Sequence, residues 1–284
     1  AFACGWGGII TMVGTPPNII AVGAMTSAGL EPFGFFEFAW IGIPVSIAGM
    51  LYMMFVGKYL LPKVDLSADQ EIEQEIEAAS TSSTKQIISG VILALVIITM
   101  AVGIPGVSLE IAAITGALVC VLTGCLTEKQ AYASIDWVTI FLFAGMMPVS
   151  AAMDKTGAGK LIAEWAVSLM GGSPTPIIMT SVLFIISCTL TQFMSNTAAA
   201  ALLAPVGVAI SQQLGASPKA VLMAIGVAAS CAFATPVGTP PCTLVLGPGG
   251  YKFMDYVKVG VPLVVLCFIV SIIVIPMVWP FFPG

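Results

Sequence analysis

The sequence predicts an all-α polytopic membrane protein with an internal repeat. Hydrophobic residues make up 58% of the 284 residues and charged residues only 8%, whereas a soluble domain carries about 25% charged residues. Several apolar stretches approach the roughly 20 residues that a helix needs to cross a bilayer. The motif Gly-Thr-Pro-Pro interrupts the apolar sequence at two places. Lipid must therefore cover most of this chain, and two of its helices are expected to be broken.

Five longer apolar stretches predict membrane-spanning helices. They are residues 40–60, 87–102, 109–126, 137–153 and 259–279. Shorter apolar pieces, 1–13 with 18–28 and 220–235 with 243–246, flank the two Gly-Thr-Pro-Pro motifs. We interpret each such pair of pieces as one broken helix.

The order of these stretches predicts four segments. Residues 1–62 form the end of a first repeat, 63–85 a polar linker, 86–173 the first helices of a second repeat, and 174–284 a hairpin, a broken helix and the last span. An excess of lysine marks the cytoplasmic side of a membrane protein. The lysines on the linker side, six of the nine, are Lys58, Lys63, Lys85, Lys129, Lys252 and Lys258. We therefore expect a multi-pass protein of the inner (plasma) membrane with a cytoplasmic linker.

The charged residues exclude several kinds of site. A net charge of −5 argues against nucleic-acid binding, which requires clustered cations. The chain has neither histidine nor arginine, so it cannot provide a histidine proton relay or a bidentate arginine clamp. A bound anion would have to contact hydroxyls, amides, backbone N–H groups and helix ends. We also expect no organic cofactor.

The internal repeat extends beyond the two proline motifs. Residues 14–17 and 238–241 are both Gly-Thr-Pro-Pro, and residues 37–44 (EFAWIGIP) resemble residues 255–262 (DYVKVGVP). The intervening crossings place the two copies in opposite directions through the membrane. Inverted repeats with interrupted helices indicate the binding site of a transporter, because non-helical backbone at membrane depth must line a cavity or be buried in protein. The alternative, a simple kink or surface loop at each Pro-Pro, is disfavoured by two matched copies.

The sequence Ser195-Asn196-Thr197 lies between two apolar arms, residues 177–194 and 198–212. We predict that it forms the tip of a re-entrant hairpin. The Asn196 amide can donate and accept hydrogen bonds, and the hydroxyls of Ser195 and Thr197 can donate to a carboxylate. The alternative is a polar surface loop between two complete spans.

Three runs carry a resemblance to a known family. Residues 7–18 (GGIITMVGTPPN), 191–198 (TQFMSNTA) and 229–241 (ASCAFATPVGTPP) resemble the divalent anion/sodium symporter family of the ion transporter superfamily. The resemblance covers essentially the whole chain. It implies an elevator-type transporter and a homodimer, in which the hairpin and broken helices form a transport domain that moves against a scaffold that includes residues 86–173. It also implies an N-terminally truncated chain, whose first hairpin would precede Ala1.

The resemblance further implies which residues bind ligands. The anionic substrate would contact Ser195, Asn196 and Thr197, with Thr239 and Pro240 opposite them. The sodium ligands would be Thr191, Asn196 and the carbonyls of Met194 and Gly238 in the second half-site, with Gly14 and Thr15 in the first. Cys242 stands where the first copy has Asn18, so the second link lacks that amide.

The function that the resemblance implies for the intact protein is sodium-coupled symport of a di- or tricarboxylate. A sodium/sulfate symporter is the nearest alternative. A related oxyanion/proton antiporter would need an acidic residue in a broken helix, and the sequence has none there. An enzyme would need a nucleophile–base pair or metal ligands, and the nearest candidates, Asp136, Asp154 and Glu164, lie near predicted helix ends as surface charges do. We therefore predict no enzymatic activity.

Overall fold

The computed structural model describes residues 1–61, 83–102, 107, 109–135, 174–236, 238–246 and 249–282, with scattered positions between 137 and 168. These described residues form helices and turns without any β-strand, which confirms the all-α prediction. Most of the linker, most of the 137–153 span, and Asp136, Asp154 and Glu164 lie outside them. The chain divides into two compact units.

The smaller unit contains three described helices. These are α4 (Ser83–Val102), α5 (Leu109–Leu122) and α6 (Glu128–Ala133). Helix α4 begins within the last residues of the predicted linker, and α5 ends four residues before the end of the predicted span at 109–126. Thr127 caps α6, because its hydroxyl accepts from Gln130 N at 3.3 Å. Helices α4 and α5 pack against each other.

The first broken helix of the larger unit consists of α1 (Phe2–Gly8) and α2 (Pro16–Ser27). Two prolines begin α2, where the absence of their N–H groups leaves no helical hydrogen bond unmade. The link between the helices is tightly folded. A Cβ atom on Gly14 would overlap the carbonyl of Gly8, so only glycine fits at Gly14.

The second broken helix repeats this arrangement. Helix α9 (Pro218–Ser230) is followed by a link and by α10 (Pro240–Leu246). A Cβ atom on Gly238 would lie 2.6 Å from the Cβ of Ala232. Gly8 and Ala232 each precede their partner glycine by six residues, so the two links fold back on themselves at matching positions.

The predicted hairpin consists of α7 (Pro176–Thr191) and α8 (Asn196–Leu214), joined by a short turn. Helix α8 starts two residues before the predicted arm, because Ser195 caps it by accepting from Ala198 N at 3.2 Å. It ends at Gly215, whose φ of 60° is the left-handed conformation that glycine adopts readily. Helix α8 extends beyond the predicted arm at 198–212 at both ends, and it has the length and composition of a membrane span.

Three other segments among the described residues also have the length and composition to cross a membrane. They are Ala39–Leu60, Thr84–Val102 and Phe253–Val278, which match the predicted spans at 40–60, 87–102 and 259–279. The first begins as α3 (Ala39–Tyr52) and continues through a π-helical segment (Met53–Gly57) and a last turn (Lys58–Leu60). The last is α11 (Phe253–Val278). The chain is therefore a multi-pass membrane protein.

Helix α9 is the centre of the larger unit. Every residue from Ala220 to Ser230 is buried, as expected for a helix that is apolar on all sides. It packs against α2, α7, α8 and α11. The broken helices pair crosswise, since α9 contacts α2 and α10 contacts α1. The first half of each broken helix therefore lies against the second half of the other.

Two matched glycines pack the following helices against the links. A Cβ atom on Gly42 of α3 would lie 2.6 Å from the Cα of Ile10 in the first link. A Cβ on Gly260 of α11 would overlap the carbonyl of Phe233 and lie 2.8 Å from the Cα of Ala234 in the second link. Gly42 and Gly260 occupy the same place in the two EFAWIGIP-like runs, so the repeated sequence corresponds to a repeated contact.

Replacing Gly260 by alanine tests this contact. We expect Gly260→Ala to destabilise the full-length protein by about 2 kcal/mol, because the methyl group must displace the link backbone. The matched control is Gly226→Ala in α9, where a Cβ would meet Pro17 O at 3.7 Å and the Ala21 Cβ at 3.8 Å, both ordinary contacts. This control should be neutral or more stable by up to about 1 kcal/mol, because alanine favours a helix over glycine. Thermal unfolding in detergent measures both, and equal melting temperatures for the two variants would contradict the contact.

Candidate functional site

The hairpin tip presents the three residues that the sequence singles out. The side chain of Ser195 is exposed, that of Asn196 is half-buried, and that of Thr197 is buried. Ser195 is the N-cap of α8. The tip therefore combines two hydroxyls, an amide and the N-terminal end of a long helix, whose free N–H groups carry partial positive charge.

An oxygen cluster lies directly behind the tip. Thr191 Oγ1 is 2.8 Å from Asn196 Oδ1 and 2.8 Å from the carbonyl oxygen of Ala229. A hydroxyl has only one proton to donate, so it cannot satisfy both acceptors fully. Three oxygen atoms from α7, α8 and α9 thus surround a single proton. Either a rotation of the Asn196 amide or a cation bound among these oxygens would complete their interactions.

The second link lies against this cluster. Gly238 is buried, and a Cβ atom at this position would be 3.0 Å from the carbonyl oxygen of Thr191. Thr239 is also buried, and its carbonyl accepts from Cys242 N at 3.0 Å. The structure therefore brings Gly238 close to the backbone of Thr191.

The remaining predicted residues have simpler positions. Pro240 is the first residue of α10. Met194 is half-buried in the turn before the tip, and its N–H donates to Leu190 O at 3.1 Å. That bond continues the last turn of α7, so the backbone of Met194 holds the tip to the end of that helix.

The first link reaches the same region through Thr15. Thr15 Oγ1 lies 3.0 Å from Ser230 Oγ, and both side chains are buried. Because Ser230 donates its proton to Gly226 O at 3.0 Å, Thr15 is the donor in the bond to Ser230. Gly14 immediately precedes Thr15 in the same link.

The two predicted half-sites consequently meet at consecutive residues of α9, Ala229 and Ser230. The sequence analysis assigned no role to either of them. The available signal for Ser230 was a serine at the end of the apolar run 220–229 of α9. The carbonyl of Ala229 had no signal, because any residue can provide one.

Asn18 stabilises the backbone of the first link. Its side chain is fully buried, and its Nδ2 donates to Thr11 O at 2.9 Å and to Ile9 O at 3.4 Å. Its Oδ1 has no hydrogen-bond partner among the described residues. The amide therefore supplies donors to carbonyls that the unwound backbone leaves without helical partners.

Comparison with known proteins identifies a family. The model of the citrate transporter family matches residues 1–216 and 104–282. An uncharacterized transporter of Escherichia coli K12 (YfbS) is 42% identical over 59% of this chain and 28% of its own length. An uncharacterized transporter of Haemophilus influenzae is 34% identical over 95% of this chain and 59% of its own length. The sodium-dependent dicarboxylate transporter SdcS of Staphylococcus aureus is 26% identical over 98% of this chain and 57% of its own length. The chain thus spans less than two thirds of these relatives.

Substitutions of Asn18 test its role in the first link. Asn18→Leu should lower the free energy of unfolding by about 2 kcal/mol, because the buried carbonyl of Ile9 loses its donor and the carbonyl of Thr11 keeps only Gly14 N. Asn18→Asp should cost more, since it also places a carboxylate against those carbonyls. Thr26→Val, which removes only an exposed bond to Val22 O, is the control and should change little. Thermal unfolding of the full-length protein gives the order, and an Asn18→Asp variant as stable as the control would refute this role.

Proposed function

We propose, from the premise that the chain belongs to the citrate transporter family, that the full-length protein carries a di- or tricarboxylate across the membrane together with sodium ions. The chain is a membrane transporter by family, and we propose that it has no enzymatic activity. The observation that carries the sodium proposal is the oxygen cluster formed by Thr191, Asn196 and Ala229.

The chemistry of this cluster suits a small hard cation. Hydroxyl, amide and backbone carbonyl oxygens are ligands that hard cations prefer. Ala229 lies at the C-terminal end of α9, where the helix dipole adds partial negative charge. We propose that the carbonyls of Met194 and Gly238 complete this sodium site, and that Gly14 and Thr15 belong to a second one. In this proposal sodium is a transported ion and not a resident cofactor.

The anion would bind at the tip of the hairpin. The N-terminal end of α8 offers N–H groups and the side chains of Ser195, Asn196 and Thr197, and we propose that Thr239 and Pro240 face them. None of these groups carries a positive charge. A dianion in a region of low dielectric is costly, so sodium ions bound beside it would offset its charge. This requirement is the physical reason for coupling the two ions.

Further features support an inverted-repeat transporter that works by an elevator movement. The crosswise pairing of the broken helices is expected of two units inserted in opposite directions. The matched positions of Gly42 and Gly260 agree with such a repeat. The hairpin, α9 and both links pack together, which suits movement as one body. We propose a homodimer in the lipid bilayer of the inner (plasma) membrane, with residues 63–85 on the cytoplasmic side.

The staphylococcal relative SdcS is named as a sodium-dependent dicarboxylate transporter, which supports both the coupling ion and the substrate class. A competition panel in vesicles separates this proposal from its alternatives. Full-length protein in vesicles should take up succinate or citrate faster in an inward sodium gradient than in a potassium gradient. Sulfate competing better than either carboxylate would indicate a sulfate symporter. An uptake rate that depends on a proton gradient and does not change with sodium would indicate an antiporter and overturn the proposal.

Thr191 allows a sharper test of the cation site. Thr191→Val removes the hydroxyl at constant shape, and we expect the half-saturating sodium concentration to rise about tenfold, the effect of losing about 1.4 kcal/mol of binding. Thr191→Ser keeps the hydroxyl and should stay within about twofold of wild type. Asn196→Ala should abolish uptake in a folded protein. The sodium dependence of initial uptake rates measures these effects, and a Thr191→Val variant with unchanged sodium dependence would remove Thr191 from the site.

A further inference from the structure

Gln192 joins the hairpin to the second link through three hydrogen bonds and makes a further bond within the hairpin. Its Nε2 donates to Cys231 O at 3.1 Å and to Cys188 O at 3.0 Å. Its Oε1 accepts from Ala234 N at 3.0 Å, and its backbone carbonyl accepts from Thr235 Oγ1 at 2.9 Å. Three of these partners belong to the second link, and Gln192 itself directly follows the last residue of α7.

The hydrogen bonds of Gln192 supply partners to buried backbone groups of the second link. Its backbone has left the helical hydrogen-bond pattern, and a buried carbonyl or N–H without a partner is costly. A carboxamide can donate twice and accept at the same time. Gln192 can therefore satisfy both kinds of backbone group with one side chain.

The two links obtain the side-chain amide that bonds their backbone from different parts of the chain. In the first link the amide comes from Asn18, which lies in the helix that follows the link. Cys242 occupies the matching position of the second copy and has no amide. In the second link the amide comes from Gln192, which belongs to the hairpin. In the part of the chain that the structure describes, the second link is fastened to the hairpin and the first link to its own following helix.

We propose that Gln192 is a positioning residue that holds the second link and the hairpin tip together, so that the oxygens of Thr191, Asn196 and Ala229 form a ready-made sodium site. It acts through these neighbours and does not contact the ion. The inference rests on the sodium coupling proposed above. Without Gln192, the tip and the link separate for part of the time. Sodium must then select the assembled fraction, which weakens its apparent affinity but leaves the assembled state unchanged.

The test uses Gln192→Met in full-length protein reconstituted in vesicles, since methionine matches glutamine in length and cannot form these bonds. We expect the half-saturating sodium concentration to rise about tenfold, while the maximal rate per folded protein stays within about twofold of wild type. A merely structural role would lower the maximal rate and leave the half-saturating concentration unchanged. The matched control is Gln213→Met, at an exposed position near the end of α8, which should behave as wild type.

A milder variant keeps the test decisive if Gln192→Met does not fold. Thr235→Val removes only the bond to the backbone carbonyl of Gln192 and should raise the half-saturating sodium concentration about threefold. If neither folded variant shifts this concentration, the proposal is overturned.

Thiol labelling separates this proposal from that of sodium coupling. Cys188 and Cys231 are buried on the two sides of the contact. N-ethylmaleimide should label them about tenfold faster in Gln192→Met than in wild type or Gln213→Met, because the link opens more often. Faster labelling with uptake that ignores sodium would reject the coupling and leave the positioning role. Sodium-dependent uptake with unchanged labelling and unchanged half-saturation would reject the positioning role alone.

Discussion

The structure depends on one requirement: backbone that leaves a helix inside a membrane protein must find its hydrogen-bond partners within the protein. Both links meet this requirement through neighbouring amides, Asn18 for the first and Gln192 for the second. Gly42 and Gly260 let the following helices pack directly against the same backbone. The links are therefore fixed parts of the fold, and we propose that the residues that fix them also position the candidate site.

Helix α9 connects these local solutions. Its last two residues, Ala229 and Ser230, accept hydrogen bonds from Thr191 of the hairpin and Thr15 of the first link. Because α9 ends at Ser230, its last carbonyl oxygens and the negative end of its dipole lie next to the hairpin and the first link. The N-terminal end of α8 brings the opposite polarity to the hairpin tip. The cation and anion sites that we propose would thus be formed mainly by helix ends, in a chain without histidine or arginine.

The sequence was most informative where local chemistry decides the structure. The Gly-Thr-Pro-Pro motifs predicted both breaks, because proline cannot continue a helix but can begin one. The start of α8 was misplaced, since the cap formed by Ser195 draws Asn196 and Thr197 into its first turn. Gln192, Ala229 and Ser230 received no role, because their partners lie tens to hundreds of residues away and only packing brings them together. The substitution of Cys242 for Asn18 was visible in the sequence, but the amide that compensates for it was not.

The most direct test of this account is hydrogen exchange of the link amides in the full-length protein. If the hairpin and the second link form a sodium site, sodium should slow exchange in residues 191–196 and 229–236 relative to equal potassium, while residues 83–102 of α4 exchange equally in both. Equal exchange of the hairpin and link amides in sodium and potassium would contradict the account.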